Sequence, residues 1–212
     1  MCYSEEVSLA AFLIGTFGSI IVYTLGSTFD RIFALFMGYI ALMQVIEWLL
    51  WRHPACDEYH KQVSIAGMWL NGLQPIVLGC LTIFLSPRGL ANAPAIITIM
   101  VLYLAYSLQY KNKYISGLQC TTPRPYDPHL VWNWTMLDSY PIMWGIYIMT
   151  FVLISVLGMP TLTQGGLFGS VSALGLFGSM LLYPRQDVGA MWCFFSSFSP
   201  FVYYIVRELG FL

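Results

Sequence analysis

The sequence predicts an all-α integral membrane bundle of seven transmembrane helices, and three observations carry that expectation. Of 212 residues 58% are hydrophobic and 9% charged, with a mean hydropathy of +0.70, so no water-facing surface can be assembled from the chain. The apolar residues gather in seven runs close to the ~20 residues that a hydrocarbon core of about 30 Å requires. These runs are too long for barrel strands, and backbone groups in lipid must pair internally, so each run is read as a helix.

The spans fall at 7–28, 32–51, 62–86, 93–110, 140–158, 165–184 and 187–209, one transmembrane domain over 1–212 with a long loop at 111–139. The opening Met1-Cys2-Tyr3-Ser4-Glu5-Glu6 is acidic where a secretory signal would be basic, so the first run is kept as a helix. Arg31 and Arg52 flank the second, and Arg88 follows the third. Pro75, inside the third, frees a carbonyl one turn earlier. Asn92 with Pro94 and Asp138 with Pro141 read as helix starts, a capping side chain followed by a proline. In the sixth span Gly166/Ser170, Gly169/Ala173 and Gly175/Ser179 are small residues four apart, a pattern for close packing within the bundle or, less favoured, self-association. In the seventh, Pro200 follows Ser196, Ser197 and Ser199, which suits a kink with hydroxyls repairing the backbone.

Seven crossings put the termini on opposite sides of the membrane and make the chain lopsided. The N-terminal or near side collects all seven tryptophans, Trp48, Trp51, Trp69, Trp132, Trp134, Trp144 and Trp192. His53, His60 and His129 lie there too, with four of five cysteines, Cys2, Cys56, Cys120 and Cys193; the far side is expected to hold short turns. An aromatic belt normally marks both membrane surfaces, so the near face is read as the working face.

Glu47 lies in that half, one turn inside Arg52, and an ionisable group within a span is a functional-site hypothesis. Gln44, Glu47, Trp48 and Trp51 share a helical stripe. The third span offers Asn71 and Gln74, the fourth Tyr103, Tyr106, Ser107 and Tyr110, and the seventh Trp192, as the lining of a pocket or pathway. The plainer alternative is an interhelical clamp, with Glu47 snorkelling toward Arg52 or water.

His53, Cys56, His60, Cys120 and His129 are an inventory that suits zinc or copper, although His-x2-Cys-x3-His matches no strong signature and the sequence requires no cofactor. A Cys56–Cys120 disulfide is the alternative if the near face is oxidising. Six basic residues against three favour a cytosolic near face and N-terminus, with the C-terminus opposite; the Asn133-Trp134-Thr135 sequon points the other way. The net charge of −1 leaves no nucleic-acid footprint.

Met1-Cys2-Tyr3-Ser4, Gln44-x-x-Glu47 with Trp51, Asn71-x-x-Gln74-Pro75, "HLVWNW" at 129–134 and "GAMWC" at 189–193 occur in this order from end to end. In that order the chain resembles an uncharacterised family of small polytopic membrane proteins with bacterial and large-DNA-virus members. Members open Met-Cys-Phe-Ser, so Tyr3 is a departure. The resemblance implies no activity, but draws attention to Cys2: with Met1 removed, an amine and a thiol would share one residue, a reactive thiol or ligand candidate.

Three function classes follow. The first is a channel or carrier for a small solute or ion, with Glu47 in its path; a missing second buried charge and missing internal repeat count against it. The second is a structural or assembly protein of a virion or organelle membrane, whose near face meets a second copy, a membrane partner or a capsid. A membrane-embedded metal or thiol enzyme ranks third, because no nucleophile–base pair is recognisable. The lipid bilayer is the partner common to all three.

Overall fold

A computed structural model describes residues 4–116, 120–124, 127–132, 140–184 and 187–209, with the backbone alone at 113–116, 122–124, 127–129 and 140–141. Helix α1 (Glu5–Thr24) opens on Ser4, whose hydroxyl accepts from the Val7 N–H. In α2 (Thr28–Arg52), Ser27 and Asp30 form a reciprocal capping box, each side chain accepting from the other's backbone N–H. Asp57 caps α3 (Glu58–Gly72) by accepting from His60 N. Next come α4 (Gln74–Leu85), the short α5 (Pro87–Ala91) and α6 (Ala93–Ser116). Strands β1 (Thr122–Arg124) and β2 (Asp127–Val131) precede α7 (Tyr140–Gly158), α8 (Leu162–Leu182) and α9 (Val188–Glu208).

The class is helical, and several apolar helices mark an integral membrane protein. Among the described residues five helices, α1, α2, α6, α8 and α9, are long and apolar enough to cross a bilayer. A sixth crossing is added if α3 and α4 count as one span, and the apolar stretch Ile142–Gly158 of α7 is shorter, so seven crossings are not reached on these criteria. Large apolar side chains such as Phe17, Phe84 and Leu181 face outward, where lipid rather than water can cover them.

Central α2 is packed by α1, α3, α4 and α9, while α7 sits against α4, α6 and α8. Between these groups Phe33, Phe36, Phe151 and Phe168 interlock, with ring centroids 5.4 to 5.9 Å apart. Pro200 lies inside a continuous α9, and the Ser196 carbonyl that it leaves without an amide donor accepts the Ser199 hydroxyl at 2.6 Å. Gly18 of α1 meets this turn so closely that a Cβ there would stand 2.9 Å from the Phe201 ring.

Four expectations need correction. The third span is not one helix: α3 and α4 meet at Leu73 at an angle of 48°. Helix α6 runs on to Ser116, which takes Lys111 out of the expected loop, and among the described residues that follow, β1 pairs antiparallel with β2, Thr122 with Val131 and Pro123 with Leu130. Asn92 does not cap α6 with its side chain; its amide donates to the Leu157 carbonyl at the end of α7. In α8 the close approach uses Gly165 and Gly169 against Ser155 and Val152, whereas Gly166 has open space and Ser170 is exposed. Cys2, Asp138 and the sequon at 133–135 lie outside the described residues, as do the side chains of His129 and Pro141.

Candidate functional site at the broken helix

The break between α3 and α4 organises the interior. Pro75 sits in the first turn of α4, and Leu73 gives that turn no side-chain cap. Near such a break the helix cannot satisfy all its own carbonyls, and in lipid they must find partners inside the protein. Neighbouring helices supply them. Tyr39 of α2 donates to the Leu70 carbonyl at 2.8 Å, Tyr103 of α6 to that of Gly72 at 2.7 Å, and the Lys111 ammonium to that of Met68 at 3.1 Å.

Gln74, fully buried, is the hub on the other side of the break. Its amide oxygen accepts from the Tyr147 hydroxyl and, at 3.3 Å, from the Trp192 indole; its amide nitrogen donates to the Cys193 thiol at 3.5 Å. Asn71 is 2% exposed, and its amide nitrogen has no hydrogen-bond partner. A Cβ on Gly189 of α9 would come within 2.8 Å of that nitrogen and would push the Asn71 amide aside. Asn71, Gly72, Tyr103, Lys111, Trp144 and Tyr147 lie around a cavity of about 20 Å³, room for about one water-sized particle.

Glu47 and Gln44 are fully buried on α2, and Glu47 is within electrostatic reach of Cys193. Arg52, one candidate partner of Glu47 on the clamp alternative, is engaged elsewhere: it bridges to Glu5 at 3.3 Å and lies over the Trp48 ring at 5.1 Å. Trp48 donates to Glu5 at 3.1 Å, which ties α2 to α1 at the edge rather than to the seam. Tyr106 is half-buried, outside the hydrogen bonds that Tyr103 makes.

Four members of the site were missed. Lys111 is 2% exposed and stacks over Trp69 at 4.3 Å, a second buried charge where none was expected. It continues the stripe of Tyr103, Ser107 and Tyr110 by one helical step, the signal that would have found it. Tyr147 sits three residues after Trp144 on the inward stripe of α7. Cys193 was singled out only as a near-face cysteine and the end of "GAMWC", and the half-buried Tyr39 carried no pattern.

The near-face cysteines and histidines do a different job. Cys56 and Cys120 form a disulfide that ties the α2–α3 loop to the start of the hairpin. Both ring nitrogens of His60 face carbonyl oxygens, Nδ1 that of His53 at 2.7 Å and Nε2 that of Thr121, while the Thr121 N–H reaches Ser64 Oγ at 3.4 Å. Trp132 is buried against α3, its ring filling the space that Gly67 leaves. His53 pairs with Asp57 at 2.7 Å. The His60 N–H and the His53 ring together hold the Asp57 carboxyl below the usual carboxylate range. Among the described residues no three metal-binding side chains converge, and the zinc or copper set finds no centre there.

The far side is more than turns. Asp30, fully buried, accepts from Ser27 N, from the Tyr203 hydroxyl at 2.6 Å and from the Arg207 guanidinium, which locks the start of α2 to the end of α9. Chemistry is therefore spread over both ends and the middle of the bundle. No family model, no curated protein and no solved structure matches the chain.

Proposed function

We propose that the protein is a channel or carrier for a small solute or ion, with its binding position at the α3–α4 break and with Gln44, Glu47, Asn71, Gln74, Tyr103, Tyr106 and Trp192 along the path. One observation carries this: a span interrupted about halfway along, whose backbone meets a buried ammonium, while the buried Glu47 on neighbouring α2 lies within electrostatic reach of Cys193, a partner of Gln74. Non-helical backbone at membrane depth is tolerated where it is buried in protein or lines a cavity, and many transporters bind their substrates at such interruptions. In this conformation the cavity is small, so passage requires the helices around Gln74 to part. Flux from liposomes tests the proposal. Wild type should leak or exchange a small ion or metabolite, and Glu47→Gln and Asn71→Leu should reduce the rate; no flux of any common solute by wild type refutes it.

A second reading is favoured by the way the break is stitched. Three carbonyls and Gln74 already have internal partners, as an interhelical clamp in a structural or assembly protein would need. On this reading Glu47 and Lys111 fix packing, and the near face meets a second copy, a membrane partner or a capsid.

Two finer assignments belong with these. We place the near face and N-terminus on an oxidising side of the membrane, because the Cys56–Cys120 disulfide is a direct chemical requirement, while the opposing basic-residue count rests half on one loop. The family of polytopic membrane proteins with bacterial and large-DNA-virus members is kept as the proposed kinship, on its ordered motifs.

A further inference from the structure

We infer that the cavity beside the break is a binding site for one monatomic monovalent anion, a halide, held between the Lys111 ammonium and the Asn71 amide. The inference rests on reading the break as a solute site and names the class of solute.

Charge supplies the first observation. Lys111 is 2% exposed, and its only partners among the described residues are the Met68 carbonyl and the Trp69 ring. No carboxylate pairs with it, and no other charged group acts on it, among the described residues. An ammonium removed from water without a counter-charge is strongly unfavourable, and one carbonyl and one ring face do not use its three N–H donors.

The second observation is independent. Asn71, also 2% exposed, lines the same cavity with an amide nitrogen that has no acceptor. The phenol protons nearby are already committed, that of Tyr103 to the Gly72 carbonyl and that of Tyr147 to Gln74. What the site has left over is therefore donor capacity and positive charge, the complement of an anion. A cation would meet an ammonium, and an uncharged acceptor would leave the charge unbalanced.

Size narrows the class. About 20 Å³ is room for a single particle of about water size, which favours a monatomic anion over larger polyatomic ones. The aromatic walls of Tyr103, Trp144 and Tyr147 exclude water, which strengthens the electrostatic attraction of the ammonium for the ion. Gly72 is the structural condition for this arrangement, since a Cβ there would overlap Lys111 Nζ at 1.8 Å.

Line broadening of the chloride magnetic resonance signal, measured on the detergent-purified full-length chain, tests the site. Wild type should broaden the line saturably, bromide should compete and sulfate should not. Lys111→Met should abolish the effect. Asn71→Asp, which keeps the shape but replaces the donor by a carboxylate, should raise the chloride midpoint by about tenfold or more, the equivalent of one charge-assisted hydrogen bond. This second variant keeps the test decisive if Lys111→Met does not fold. An unsaturable line, or broadening unchanged in the folded variants, overturns the proposal; so does a wild type that gives no broadening, which means that water alone fills the cavity. Saturable broadening without flux in liposomes keeps the anion site and removes transport, whereas flux of another solute without broadening does the reverse.

Discussion

Gly72→Ala is the perturbation that reads the site most economically, because it touches the break through one contact. The new Cβ would stand 1.8 Å from Lys111 Nζ and 2.7 Å from its Cε. Carbon contacts settle near ~3.5 Å, so the ammonium must withdraw by roughly 1.5 Å or more. It then loses the Met68 carbonyl, a charged hydrogen bond of about 1.5–3 kcal/mol, and part of its stacking on Trp69, about 0.5–2 kcal/mol. Alanine's better helix propensity returns up to about 1 kcal/mol. A net destabilisation of about 1–4 kcal/mol is expected from these terms. Equilibrium unfolding in mixed micelles measures it, and the decisive comparison is a cycle with Lys111→Ala. In that background the methyl group has nothing to displace, and Gly72→Ala should be neutral or slightly stabilising. An equal loss in both backgrounds would refute the reasoning, as would no loss in wild type.

Three further outcomes are expected. Asp30→Ala, which strips Arg207 and Tyr203 of their shared acceptor, should destabilise more than Asp30→Asn, and both more than Tyr203→Phe at about 1 kcal/mol, as ranked by thermal unfolding. Reducing the Cys56–Cys120 bond, which spans 64 residues, should lower stability by up to about 4 kcal/mol and change the mobility of the monomer on a non-reducing gel. Asp57 titrates lower in the folded chain than in the unfolded one, so its contribution is full at neutral pH and is lost as pH falls through the folded value. The melting temperature of wild type should therefore fall more steeply below about pH 4 than that of Asp57→Asn.

Much of the bundle was legible because lipid imposes a strict grammar. Run length marked the helical class, although the third span is two helices and α6 overruns its expected end, and Pro200 with its serines announced the Ser199–Ser196 repair. Helical spacing also put Gln44 and Glu47 on one stripe of α2, which the fold buries, but on the sequence alone the break at Leu73 reads as a single span in which Pro75 merely frees a carbonyl. What failed was partner choice. Arg52 is near Glu47 in sequence, but Glu5 on another helix competes for it, and that competition is invisible without the packing of α1 on α2. Lys111 was assigned to a loop because lysine usually ends a span; here Trp69 and a broken helix's carbonyl make a buried position tolerable. Asp30 was not singled out in the sequence, and the return of α9 supplies its partners Tyr203 and Arg207.

The central claim is that the α3–α4 break is a place a solute can reach, and substituted-cysteine accessibility tests it most directly. Cysteine placed at Asn71 or Gln74, with Cys56 and Cys120 kept, is exposed to a small membrane-impermeant thiol reagent in sealed vesicles, with Leu78→Cys one turn deeper in the dry core as the control. The account predicts reaction at 71 and 74, slowed by halide, and none at 78. Protection of all three positions from both sides of the membrane would contradict it and leave a hydrogen-bonded clamp.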